Sequence, residues 1–176
     1  VKNMTRAALL GAGSAVALVG LPLMTRFVEA AQHADKADVD TLNAAIELER
    51  AGIKAYQDAG ATGLLTPAVL EIANRFVSDH AAHRDALIGA VMAGGGTPSS
   101  GIVALEYPPL HDQTDILNFA MAVERKAAAT YLSVIPDLKD RNLAATAASI
   151  LGVETTHVAL LANALGVGCY KSGFVS

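Results

Sequence analysis

From Asp40 onward the chain carries four long stretches in which apolar or small residues return every three or four positions, the period of an α-helix. In the first, about Asp40 to Ala59, Leu42, Ala45, Glu49, Gly52 or Ile53, and Tyr56 share one face, and Gly60 and Gly63 stop it. The second opens at Thr66-Pro67, an N-cap residue followed by proline at the first helical position. It continues through Leu70, Ala73, Phe76, His80, His83 and Leu87 to Gly94-Gly95-Gly96. The third begins near Asp112 and aligns Leu117, Ala120, Glu124, Ala127 and Tyr131. Pro136 is expected to end it and to start the fourth, which aligns Ile150, Glu154, His157 and Leu161 before Gly166.

Connection lengths choose the topology. Short turns join the first helix to the second and the third to the fourth, so each pair is expected to form an antiparallel hairpin. The Gly-, Pro- and Ser-rich stretch from Gly95 to His111 lies between the hairpins and is long enough to run the length of a bundle. The hairpins also echo one another. Leu42-Asn43-Ala44-Ala45 through Glu49-Arg50 to Tyr56 matches Leu117-Asn118-Phe119-Ala120 through Glu124-Arg125 to Tyr131, and His83 then Leu87 matches His157 then Leu161.

Composition narrows the partners. The 176 residues are 52% hydrophobic but only 5% aromatic, with no Trp, which suits packed helices better than a sandwich or barrel. A net charge of −4 without a basic run argues against nucleic acid. The single cysteine, Cys169, cannot form an intrachain disulfide. Ala7 to Leu23 is an unbroken run of apolar and small residues, with Lys2 and Arg6 before it and Arg26 after it. This is the layout of an export signal, with Val28-Glu29-Ala30 as the small-residue cleavage site. The Thr5-Arg6-Ala7-Ala8-Leu9-Leu10 stretch resembles a twin-arginine signal lacking its second arginine. An uncleaved membrane anchor, or a helix docked on a larger complex through residues 4–30, is favoured over a removed signal. The organisation expected is therefore 1–33 signal or docking helix, 34–166 bundle and 167–176 tail.

Four of the helix faces carry polar chemistry where a core should be apolar. Glu49 and Glu124 have small or apolar residues one turn away on either side. An inward carboxylate costs several kcal/mol unless it is paired, protonated or bound to a cation. Glu154 and His157 are three residues apart and so lie side by side, as do His80 and His83. Tyr56 and Tyr131, two turns after their glutamates, are placed to hydrogen-bond across to a ligand carboxylate. Asp79, Glu47, Arg50 and Arg125 are assigned to the surface, and His33 and His111 to loops.

The Glu49 and Glu124 positions with Glu154-Thr155-Thr156-His157 resemble the ferritin-like superfamily, which includes bacterioferritins and rubrerythrins. The resemblance covers roughly Asp40 to Gly166 and implies an all-α, ferritin-like four-helix bundle, here with an extra N-terminal apolar helix. It also implies a metal site in which Glu49 and Glu124 are terminal ligands, Glu154 bridges, and His83 and His157 supply imidazoles. One position departs. The first hairpin should offer Glu-x-x-His but has His80-Ala81-Ala82-His83, so His80 is a further candidate ligand and Asp79 a candidate substitute carboxylate.

The signal-like N-terminal run is expected to place the protein in the periplasm or otherwise outside the cytoplasm, free or membrane-anchored. Carried over, the resemblance implies one or two iron or manganese ions per chain, reacting with dioxygen or peroxide. Ferroxidase or peroxide-consuming activity follows from that reading, and assembly into a homo-oligomer stays open. The few residues after Gly166 predict against the extra helix of cage-forming ferritins. The competing reading is a non-catalytic accessory subunit whose site has degenerated at His80.

Overall fold

The computed structural model describes residues 36–168, so the N-terminal apolar run, the extra helix expected there, His33 and Cys169 lie outside the described residues. Among the described residues four α-helices make up the fold: α1 (Lys36–Ala61), α2 (Pro67–Ala93), α3 (Gln113–Val134) and α4 (Arg141–Ala164). Among the described residues there is no strand. Packing is densest between α1 and α2 and between α3 and α4, giving the two hairpins the turns imply.

Helix ends follow local chemistry, with two departures from expectation. Asp112 caps α3 by accepting a hydrogen bond from the Asp115 amide. Asp140 caps α4 by accepting from the amides of Asn142 and Leu143. Pro136 therefore does not start the fourth helix: it sits in a short 3₁₀ turn, Ile135–Asp137, and α4 begins only after the Asp140 cap. Helix α1 already includes Lys36, the first described residue, upstream of the apolar stripe. Asp38 is buried and accepts from the amides of Lys139 and Asp140, tying this part of α1 to the turn before α4. Thr66 holds the cap position of α2, yet its side chain makes no capping bond. Its own amide instead donates to Gln113 Oε1.

The connection from α2 to α3 lies along the outside of α1. Asn43 donates to the Thr97 carbonyl and accepts from the Ser99 amide. Arg50 donates to the carbonyls of Ser99 and Gly101, and the Ser99 hydroxyl donates to Glu47. Tyr107 donates to Asp58 near the far end of the helix. Glu47 and Arg50, expected on an open surface, are half-buried clamps for this strap. An extended segment has no helical period, so nothing in the pattern announces which helix it will cover.

Two apolar clusters fill the bundle, one above the other. Leu42, Ile46, Leu87, Val91, Leu143 and Ile150 belong to the first, and Tyr56, Phe76, Leu117 and Leu161 to the second. On α1, Glu49 falls between Ile46 of one cluster and Tyr56 of the other; on α4, Glu154 falls between Ile150 and Leu161. The polar residues thus occupy a level of their own inside the bundle.

Candidate metal centre

At that level the helices converge on three carboxylates and three imidazoles. Glu49 comes from α1, His80 and His83 from α2, Glu124 from α3, and Glu154 and His157 from α4. All but His83 are at most 3% exposed. Two overlapping donor sets emerge: Glu49, His80, His83 and Glu154, and then His80, Glu124, Glu154 and His157. In each, one donor atom per residue lies within 4.8 Å of all the others. Every site residue expected from the helix faces is present in these sets. Asp79 is not. It stands outside the cluster, pairing with Arg75 at 3.1 Å and facing His157 Nε2 at 3.4 Å. It orients an imidazole rather than replacing a bridging carboxylate.

Glu154 sits at the centre. Its Oε1 is 3.3 Å from His83 Nδ1 and its Oε2 is 3.6 Å from His157 Nδ1, so its two oxygens face opposite halves of the cluster. None of these approaches has hydrogen-bond geometry for Glu154. Both of its oxygens and His83 Nδ1 are buried without a hydrogen-bond partner. Native structures rarely leave such atoms orphaned, because each costs about 1–3 kcal/mol, more when charged. A cation between them removes that cost, and the orphaned atoms belong to residues of metal-ligand type. The residues present fit a metal.

Two phenols brace the terminal carboxylates across the bundle. Tyr56 on α1 donates to Glu124 on α3, and Tyr131 on α3 donates to Glu49 on α1. Burial and the neighbouring carboxylate hold both phenols well above their ordinary value, so they remain donors. Phe76 stacks on the His157 ring, with centroids 3.8 Å apart, and meets Tyr56 edge-on. Behind Tyr56 lies an apolar cavity of about 140 Å³, lined by Ala55, Tyr107, Leu110, Phe119 and Val123 among others.

His80 lies between Glu49 and Glu124. Its Nδ1 is 2.7 Å from Glu49 Oε2 and its Nε2 is 3.3 Å from Glu124 Oε1. Gly52 makes room for the ring: a Cβ there would lie 3.0–3.1 Å from three of its atoms. Sequence reading placed Gly52 on the inward face but had no way to pair it with His80, because the two lie on different helices.

The charges are mutually supporting. Burial pulls the His80 imidazole down, but hydrogen bonds to Glu124 and Glu49 outweigh it and raise it to about 11. His83 and His157 are likewise raised to about 9 by Glu154, Glu49 and Glu124 against the same burial. Burial pushes Glu49 up, but the hydrogen bond from His80 and the nearby His80 and His83 imidazoles outweigh it and lower it to about 2. Burial leaves Glu154 raised, despite His157 and His83 beside it. For the metal-free chain the signs follow by linkage. The imidazole contribution is whole below the ordinary value of 6.5 and fades as pH rises through about 9. The Glu49 contribution is present above 4.5 and is lost only as pH falls toward about 2. Metal-free protein should therefore lose melting temperature steadily between pH 6.5 and 9. A thermal melt series in chelator tests this, and a flat profile over that window would show the imidazoles unpaired.

The sequence profile of the ferritin-like domain matches residues 37–167, most of the chain and all of the cluster. The chain belongs to the ferritin-like domain family. Solved structures share its fold. A ferritin-like, diiron-carboxylate protein from Bacillus anthracis str. Ames aligns with a TM-score of 0.64 at 21% identity, covering 72% of this chain and 94% of that one. A conserved hypothetical protein, rv2844, from Mycobacterium tuberculosis aligns with a TM-score of 0.66 at 20% identity, covering 80% of this chain and 99% of that one. No functionally curated protein matches. The four-helix bundle of this ferritin-like protein is the fold of those structures.

Proposed function

We propose that this ferritin-like protein binds iron or manganese in the cluster and uses the bound metal to consume dioxygen or peroxide, outside the cytoplasm. The observation that carries the reading is the buried Glu154 carboxylate, unpartnered on both oxygens and flanked by His83 and His157. Nitrogen and carboxylate donors suit these cations, and four protein donors leave open positions on an octahedral ion. When bound, such metal supplies the electrons that reduce dioxygen or peroxide.

The chain's own residues do the rest. Glu49 and Glu124 would hold the two ends of the centre, fixed by the crossed phenols of Tyr131 and Tyr56. His83 and His157 must shed their protons to ligate, so affinity rises with pH. The two apolar clusters keep bulk water from the buried donors. The cavity beside Tyr56 offers a small apolar molecule such as dioxygen a resting place one side chain from Glu124. The apolar run at Ala7–Leu23 supports export or anchoring. His80 is bonded to two carboxylates and fitted against Gly52, which favours a working site over a degenerated accessory subunit.

Metal analysis of protein purified without chelator tests this. One to two iron or manganese ions per chain are expected, with oxidation of added ferrous ion under air or peroxide. No metal after reconstitution, with unchanged melting temperature, would leave the accessory-subunit reading. Zinc as the sole tenant would remove the dioxygen chemistry.

A further inference from the structure

His80 divides the cluster into two unlike halves. Without it the arrangement is balanced: a terminal glutamate, an imidazole and one Glu154 oxygen on each side, Glu49 with His83 and Glu124 with His157. A carboxylate at position 80 could give one oxygen to each side. A neutral imidazole carries one N–H and one lone pair, so it can ligate only one. The ring is held in place by Gly52 on one flank and by Tyr56, stacked at 5.8 Å, on the other. Nδ1 lies 2.7 Å from Glu49 against 3.3 Å from Nε2 to Glu124, so on giving up a proton to ligate the ring would keep the N–H on the closer carboxylate. The Nε2 lone pair would then be free for a cation shared with Glu124 and its neighbours.

We propose that the centre fills unequally and in order: a first cation held by His80, Glu124, Glu154 and His157, and a second, weaker one held by Glu49, His83 and the other Glu154 oxygen. The proposal rests on the metal-binding reading above and specifies how that site loads. Two further observations favour the order. When His80 ligates through Nε2, Glu49 keeps its hydrogen bonds from His80 Nδ1 and Tyr131, whereas Glu124, which also meets Tyr56 and His157, is released from His80. Three carboxylates also cannot neutralise two divalent cations, so the second enters a buried site already short of negative charge.

The test is a titration of the full chain, stripped with chelator, using cobalt(II) followed by its visible absorption and by competition with a chelator of known affinity. One tight equivalent is expected, with the second about 10-fold or more weaker. Glu49→Gln should keep the tight equivalent and lose the weak one, whereas Glu124→Gln should lose the tight one. His80→Glu should restore a second oxygen bridge and bring the two affinities within about 3-fold. Two equal equivalents in the unaltered protein would overturn the order while leaving the metal reading intact. So would retention of the tight site in Glu124→Gln. Failure of the unaltered chain to bind cobalt(II), iron(II) or manganese(II) would overturn both. The unaltered titration decides the matter even if a variant does not fold, and circular dichroism identifies any that does not.

Discussion

Glu154→Gln should strip the centre of metal while costing the metal-free fold little above a pH of about 9, where the imidazoles that Glu154 faces are neutral. Glutamine keeps the shape of the side chain, so no large cavity opens. It removes a charge that burial already disfavours, since the Glu154 carboxyl is raised rather than lowered. Most ligand losses weaken a protein because they break a satisfied bond; here both carboxylate oxygens lack one. With the shared ligand gone, each half keeps only one carboxylate, and affinity should fall at least about 100-fold, beyond what loss of an outer partner costs. The check is metal content after dialysis together with calorimetric melting in the presence and absence of chelator. A variant that retains metal at the unaltered stoichiometry would remove Glu154 from the centre. One that is much less stable without metal at that pH would show that its charge is stabilising.

The second large effect belongs to a residue with no ligand atom. Phe76→Ala should cost about 3–5 kcal/mol of metal-free stability, the usual toll for emptying a buried aromatic site. For a domain of this size that is roughly 10 °C or more of melting temperature. Phe76 is 1% exposed, stacks on His157 and meets the edge of Tyr56. Its loss therefore frees one ligand and one brace of another ligand together, and metal affinity should fall with stability. Phe76→Leu, which keeps most of the volume, should cost about 1.5 kcal/mol or less. Denaturant unfolding in chelator measures both, and an alanine penalty below about 1 kcal/mol would mean the site collapses around the gap.

Much of this was legible from periodicity. Glu49, Glu124, Glu154 and His157 stood out because they fall on apolar stripes, and their convergence needed only the two-hairpin topology that the turn lengths dictate. His83 and His80 followed from their spacing on the second helix. The crossed tyrosine bonds followed from their position two turns beyond each glutamate. What stayed hidden depended on contacts between distant segments. Glu47 and Arg50 look like ordinary surface charges until the strap lies over them. Asp79 could have turned into the cluster by a small helix rotation, but its pairing with Arg75 and His157 keeps it outside. Gly52 reads as a weak spot in a helix, and only the ring of His80 explains it. The helical residues of α1 before Asp40 carry no apolar stripe, because a buried aspartate, Asp38, ties them down instead.

That aspartate also sets a distance. Asp38 pins α1, near its first described residue Lys36, beside the turn that leads into α4. Glu49 lies thirteen residues beyond Lys36 on the same helix, which at about 1.5 Å per residue puts it roughly 20 Å away. The level of carboxylates and imidazoles is thus set apart from that clasp by about three helical turns, each on the order of 5.4 Å.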